Sequence, residues 1–187
     1  MMKIPRTSPV PTCARGLVPC AGLLLAVMTT SVHAGPPGST SIDACTLLTG
    51  GDVEAVIEAP MAEPEATTRG RPPMWMSMCN YAGETAAGMV TAGLLIRPHD
   101  VEAGPVAAFE KHQQQLIDGI GPEAGMTAVE DLGQAAGWDM PNRIIGQLTV
   151  FEGPYLMILS VGLPPGGDHL AKAKDLAGKV LARLPLE

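Results

Sequence analysis

The 187-residue chain predicts an α+β fold, an antiparallel sheet flanked by helices in the order helix–strands–helix–strands–helix, with one disulfide. Two pairs of predicted strands carry the sheet: the alternating segments Met74–Tyr81 and Val90–Ile96, and the hairpin arms Arg143–Phe151 and Tyr155–Leu163. Stretches with apolar residues at helical spacing precede, separate and follow these pairs, which is the segregated pattern of α+β domains. Hydrophobic residues make up 46% of the chain and charged ones 17%, enough apolar surface to exclude an intrinsically disordered reading.

The N-terminal segment reads as an export signal over residues 1–34. Lys3, Arg6 and Arg15 precede the first acid, Asp43, and the apolar run from Leu17 to Val27 is too short for a bilayer-spanning helix of ~20 residues. Val32-His33-Ala34 then offers small or apolar residues at the positions a signal peptidase reads. Cys20 closes a Leu-x-x-Cys string, but ahead of most of the apolar run instead of after it, which argues against lipidation. The expected destination is the periplasm or secretion, with no membrane span once the signal is cleaved. Cleavage removes Lys3, Arg6 and Arg15 from the twelve Lys/Arg, leaving nine against nineteen Asp/Glu, a net charge of −10. Such a chain lacks the electrostatic footprint for nucleic acid or anionic lipid and is steered toward basic partners.

Residues 35–41 (Gly-Pro-Pro-Gly-Ser-Thr-Ser) have nothing to bury and are expected to form a flexible leader to a single α+β domain over residues 42–187. Thr49 and Asp52 form a capping-box pattern ahead of Val53, Val56 and Ile57, opening a short helix. Residues 59–73, rich in Pro, Glu, Thr and Arg, suggest an irregular or edge segment. The first strand pair follows, with its turn expected around Tyr81-Ala82-Gly83-Glu84. Val106, Phe109, Gln113, Leu116 and Ile117 mark the face of a helix that tolerates Pro105 in its first turn and stops at Gly119, Gly121 and Pro122. Short segments around Met126–Val129 and Ala135–Trp138 lead into the second hairpin, turning at Glu152-Gly153-Pro154. Asp168 caps a last amphipathic helix with Leu170, Ala173, Ala177, Val180, Leu181 and Leu184 on one face.

Cys13 and Cys20 leave with the signal, so Cys45 and Cys79 remain as an even pair in an oxidising compartment. That favours one structural disulfide; a redox-active or metal-bound pair is the alternative, without a Cys-x-x-Cys to support it. Gly-x-Ser-x-Gly, His-Glu-x-x-His, a Walker loop and a dinucleotide-binding glycine pattern are all missing, so no catalytic residue is assigned. Asp100 beside His99 and Asp168 beside His169 are explained by helix capping, and His112, in Lys-His-Gln-Gln-Gln, by a solvated helix face. In Met74-Trp75-Met76-Ser77-Met78-Cys79 the three methionines share one strand face, spaced ~7 Å apart along the chain. Three thioethers in an exported protein are a candidate Cu(I) site, against the reading of methionine as core filler in a chain only 3% aromatic. Trp75 and Trp138 are either recognition residues or core area.

Cys45-Thr46-Leu47-Leu48-Thr49 with Asp52-Val53-Glu54, then Cys79-Asn80-Tyr81, then Val129-Glu130-Asp131-Leu132-Gly133 with Ala135 and Trp138, resemble small exported or lipid-anchored bacterial domains of unknown function. Some of these are similar to the PsbP/Mog1-like fold, a curved antiparallel sheet flanked by helices. The resemblance covers scattered positions over residues 43–184 and departs in having no lipidation cysteine. It implies a non-catalytic binding or accessory module with a Cys45–Cys79 bridge; the chain as a whole is read as binding an envelope protein or a small ligand, with no resident cofactor.

Overall fold

The computed structural model describes residues 40–100 and 102–186. The expected export signal, Cys13, Cys20 and all but the last two residues of the 35–41 leader lie outside the described residues. Seven strands form one antiparallel sheet in the order β1-β2-β3-β7-β6-β5-β4. β1 (Glu65–Arg71), β2 (Met74–Thr85) and β3 (Gly88–Pro98) make a first meander. β4 (Thr127–Ala128), β5 (Ala135–Asp139), β6 (Ile145–Glu152) and β7 (Tyr155–Gly162) make a second, which closes on β3 through pairs such as Leu94 with Leu159.

One connection decides what is covered. The chain leaves β3 near the middle of the sheet and re-enters at the far edge in β4, four strand spacings or about 19 Å away. α3 (Gly104–Ile120), 17 residues and therefore about 25 Å long, makes that crossing. It packs on β5 and β6, on the opposite side of the sheet from the other helices. That side is covered over β5–β6 and left open over β1–β3.

The other face carries the main core. α1 (Ala44–Leu47), α2 (Gly50–Ile57) and α4 (His169–Leu181) lie against Trp75, Cys79, Tyr81, Leu94, Ile96, Met157, Leu159 and Val161, all buried. Burying such side chains is worth roughly 1.5–3 kcal/mol each, which is why the alternating faces settle here. α1 is a single turn that the sequence does not announce; Asp43 caps it by accepting from the Cys45 amide at 2.9 Å. Three contacts fasten it to β2. The Ala44 amide donates to the buried Ser77 hydroxyl (3.0 Å), Cys45 bridges to Cys79, and the Tyr81 hydroxyl donates to the Leu48 carbonyl (2.8 Å). The disulfide is therefore structural, joining the helical layer to the sheet.

The capping box at Thr49 and Asp52 is formed as the sequence predicts. Asp52 also receives Arg183 and Lys179 from the end of α4, so one carboxylate starts α2 and ties it to α4. Arg183 Nη2 donates to its Oδ1 at 3.1 Å. The Arg183 hydrogen bond, helped by Thr49 and opposed by burial, holds the Asp52 carboxyl well below the usual carboxylate range.

The first hairpin turns later than expected. β2 and β3 stay paired to Thr85 and Gly88, and the turn is Ala86-Ala87, closed by Thr85 Oγ1 on the Gly88 carbonyl (3.0 Å). Gly83 lies inside a strand because the Pro60–Met61 segment crosses there. A β-carbon at Gly83 would fall 2.7 Å from the Met61 sulfur, so the glycine serves close approach and not a turn. Residues 65–71, read as irregular or edge, form the polar edge strand β1. Asp168 caps α4 as expected, accepting from the Ala171 amide at 3.0 Å. Asp100 does not cap α3, whose N-cap is Ala103; its Oδ1 takes the Glu102 amide in the preceding turn.

Candidate functional site

Strand register assembles the open half-face. Arg69 pairs with Met76, Arg71 with Met74 and Thr67 with Met78, and along β3 the same face continues through Leu95 and Arg97. Met74, Met76 and Met78 do share one side of β2, but it is the side away from the core: Met74 is 82% exposed and the other two are half-buried. The core-filler reading fails for all three, since the Cys79 bridge commits Trp75, Ser77, Cys79 and Tyr81 to the helical side. Of the methionines beyond residue 40, only Met126 and Met157 are buried.

Trp75 is a core residue, 3% exposed, its ring 6.4 Å from that of Tyr155. Trp138 packs against the edge of the core, lying over Gly146, and also borders a groove of about 530 Å³ at the C-terminal end of α3 with Leu116, Ile120 and Met140. Asp139 in that groove has its carboxyl pushed up by burial.

A second groove lies where α3 leaves the sheet, beside the open half-face. Arg97, Lys111, His112 and Gln115 surround a hollow of about 170 Å³ that also touches the otherwise buried Phe151 and Leu156. It shares Arg97, His99 and Asp100 with a wider trough of about 520 Å³ along Arg69, Met74 and Met76. α3 turns Ala108, Lys111, His112 and Gln115 toward this groove, three or four residues apart and hence on one helix side. Of the expected face, Phe109, Gln113, Leu116 and Ile117 are partly buried as read, but Val106 is 54% exposed, and His112 is partly buried over Phe151, their ring centres 6.1 Å apart, instead of solvated.

The three histidines among the described residues divide by what their nitrogens meet. His99 Nδ1 lies 2.9 Å from the Asp100 carbonyl and Nε2 2.8 Å from the Gly153 carbonyl, so the ring braces β3 to the β6–β7 turn and aims no nitrogen at the groove. His169 is buried between the Leu163 amide, Gly167 carbonyl and Ile144 carbonyl at the start of α4. Only His112 keeps both nitrogens without a protein hydrogen bond among the described residues. Burial, and next the charge of Arg97, push its pKa down, favouring the neutral ring.

The cations divide as well. Lys172, Lys179 and Arg183 are ion-paired with Glu58 and Asp52 on the helical layer. Arg69, Arg97 and Lys111 line the groove system with no ion pair among the described residues, in a chain of net charge −7. Chemically, the groove can hold an anion by charge and hydrogen bonding. It has no serine, threonine or cysteine in its lining to act as a nucleophile. No three His, Cys, Asp or Glu side chains among the described residues gather as a metal site. No helix among the described residues is long and apolar enough to cross a membrane.

The groove was not legible locally. Arg97 and His112 come from different elements, and the Lys-His-Gln-Gln-Gln run looks like solvent-facing surface. Its one available signal is the spacing of Ala108, His112 and Gln115, a helix side that begins apolar and continues polar. Comparison with models of known protein families and with curated proteins finds no match to this chain.

Proposed function

We propose that the chain is an exported, non-catalytic binding or accessory protein of the periplasm or extracellular space. Its small ligand or envelope-protein partner meets the open half of the sheet and the adjoining groove. The observation that carries this reading is the set of unpaired cations, Arg69, Arg97 and Lys111, gathered around a groove in an otherwise acidic chain. Unpaired basic side chains on an acidic protein gain most from an anionic group brought by something else. The Cys45–Cys79 bridge supports an oxidising compartment. Native mass spectrometry of the protein purified from its own source, without chelator or reductant, tests it. A co-purifying small molecule or partner is expected; a chain recovered bare under all gentle conditions would count against the reading.

The outward face of Met74, Met76 and Met78 keeps a second reading open, a periplasmic Cu(I) protein. Thioethers are neutral and cannot offset the metal's charge, and Arg69 and Arg71 sit directly opposite Met76 and Met74. That repulsion ranks copper second. Cu(I) titration of wild type, Met76→Leu and Met78→Leu decides it: equal affinity in all three removes copper from this strand.

A further inference from the structure

We propose that the groove between α3 and the end of β3 is a binding site for a small organic anion, a carboxylate or phosphate head on a short apolar body, with Arg97 and Lys111 holding the head and Met76 and Met74 seating the body. This deepens the binding-protein reading and rests on it.

Arg97 is the pivot. It borders both the inner hollow and the outer trough, and its forked N–H donors suit the paired oxygens of a carboxylate or phosphate. Lys111 adds a second charge from α3, one turn beyond Ala108. His112 adds a ring nitrogen free to donate to an anion oxygen, on a ring tilted against Phe151. The one lining carboxylate is Asp100, at the rim, and its Oδ1 already accepts the Glu102 amide. The head is therefore met by an excess of donors.

The apolar part follows from the trough. Phe151 and Leu156 are each 1% exposed, packed with Ala108 beneath α3, and only back the hollow. A body attached to the head runs out past Arg97 toward half-buried Met76 and exposed Met74, whose flexible thioethers adapt to varied shapes. A bare inorganic ion would leave the apolar trough unused, while a neutral apolar molecule would leave two cations unsatisfied. An anion with an apolar body matches both.

Calorimetric titration of the full purified chain with octanoate, octyl phosphate, octanol and inorganic phosphate tests the assignment. Octanoate or octyl phosphate should bind at least tenfold more tightly than octanol or inorganic phosphate, and the tighter of the two anions names the head chemistry. Arg97→Gln should weaken that binding tenfold or more and Lys111→Gln several-fold. Lys174→Gln, on the far helical layer, should leave it unchanged. Arg97 and Lys111 are both exposed, so their replacement leaves the fold intact, which circular dichroism checks. Octanol binding as tightly as octanoate, or unchanged affinity in both groove variants, overturns the proposal. If no probe binds yet the natively purified protein carries a neutral or cationic molecule, the anion site fails and the binding reading survives. If no probe binds and nothing co-purifies, both fail.

Discussion

Removing the Cys45–Cys79 bridge by a double Cys45→Ala/Cys79→Ala substitution should cost the fold about 4–5 kcal/mol. The bridged positions are 34 residues apart, and in the chain-entropy model a loop of that length lowers the entropy of the unfolded chain by about 13 cal/mol/K, or roughly 4 kcal/mol at 25 °C. Cys79 is fully buried, so losing its sulfur adds on the order of 1 kcal/mol of packing. For a domain of this size such a loss lowers the melting temperature by about 10–15 °C. Urea titration followed by circular dichroism is the assay. The dependence on urea should also steepen, because the uncrosslinked unfolded chain exposes more surface. Reductant added to wild type should reproduce most of the effect. A loss below about 1 kcal/mol would refute the reasoning. It would mean that the Ser77 and Tyr81 hydrogen bonds already hold α1 to β2 well enough for the cross-link to be redundant.

Asp52→Asn should destabilise by roughly 1 kcal/mol at neutral pH, a figure discounted because its partner Arg183 is solvent-exposed. Asp52 is a carboxyl with a depressed folded pKa, so its contribution is full above the unfolded value near 4 and is lost as pH falls through the folded value; the gap between wild type and variant should narrow steadily below about pH 4 in urea titrations. Glu58 ends α2 in the left-handed region at φ 62°, where glycine is unstrained, so Glu58→Gly should stabilise by about 0.5–1 kcal/mol despite losing its exposed pair with Lys172, as thermal melts would show. Gly146→Ala places a β-carbon inside the Trp138 ring, so the indole must leave its seat; about 1–3 kcal/mol should be lost and tryptophan emission should move to the red.

Most of the sheet was readable from the chain: β2 carries the period of two that a half-buried strand imposes, while β6 and β7, with buried residues on both faces, are apolar runs made legible by the Glu152-Gly153-Pro154 turn between them. Their faces were readable too: Met74, Met76 and Met78 do share one side. Which side meets the core was decided by Cys79, since a bridge to the helical layer commits its neighbours Ser77 and Tyr81 to that layer. Features below that scale escaped. α1 is four residues long and too short for any periodicity, and the edge strand β1 lacks an apolar face. Gly83 carries a turn-like identity for a reason only the tertiary approach of Met61 supplies. The groove escaped most completely, because it exists only through the path of α3 over the sheet. That crossing sets Lys111 and His112 beside Arg97 and covers Phe151, and no local pattern specifies it.

The claim that Arg97 anchors what this protein binds is tested most directly by purifying wild type and Arg97→Gln identically from the native compartment and comparing their intact masses under native conditions. Wild type should carry a bound anionic species that is missing or strongly depleted on Arg97→Gln, with the Cys45–Cys79 bridge intact in both. The same species carried equally by both proteins, or no species on either, would contradict it.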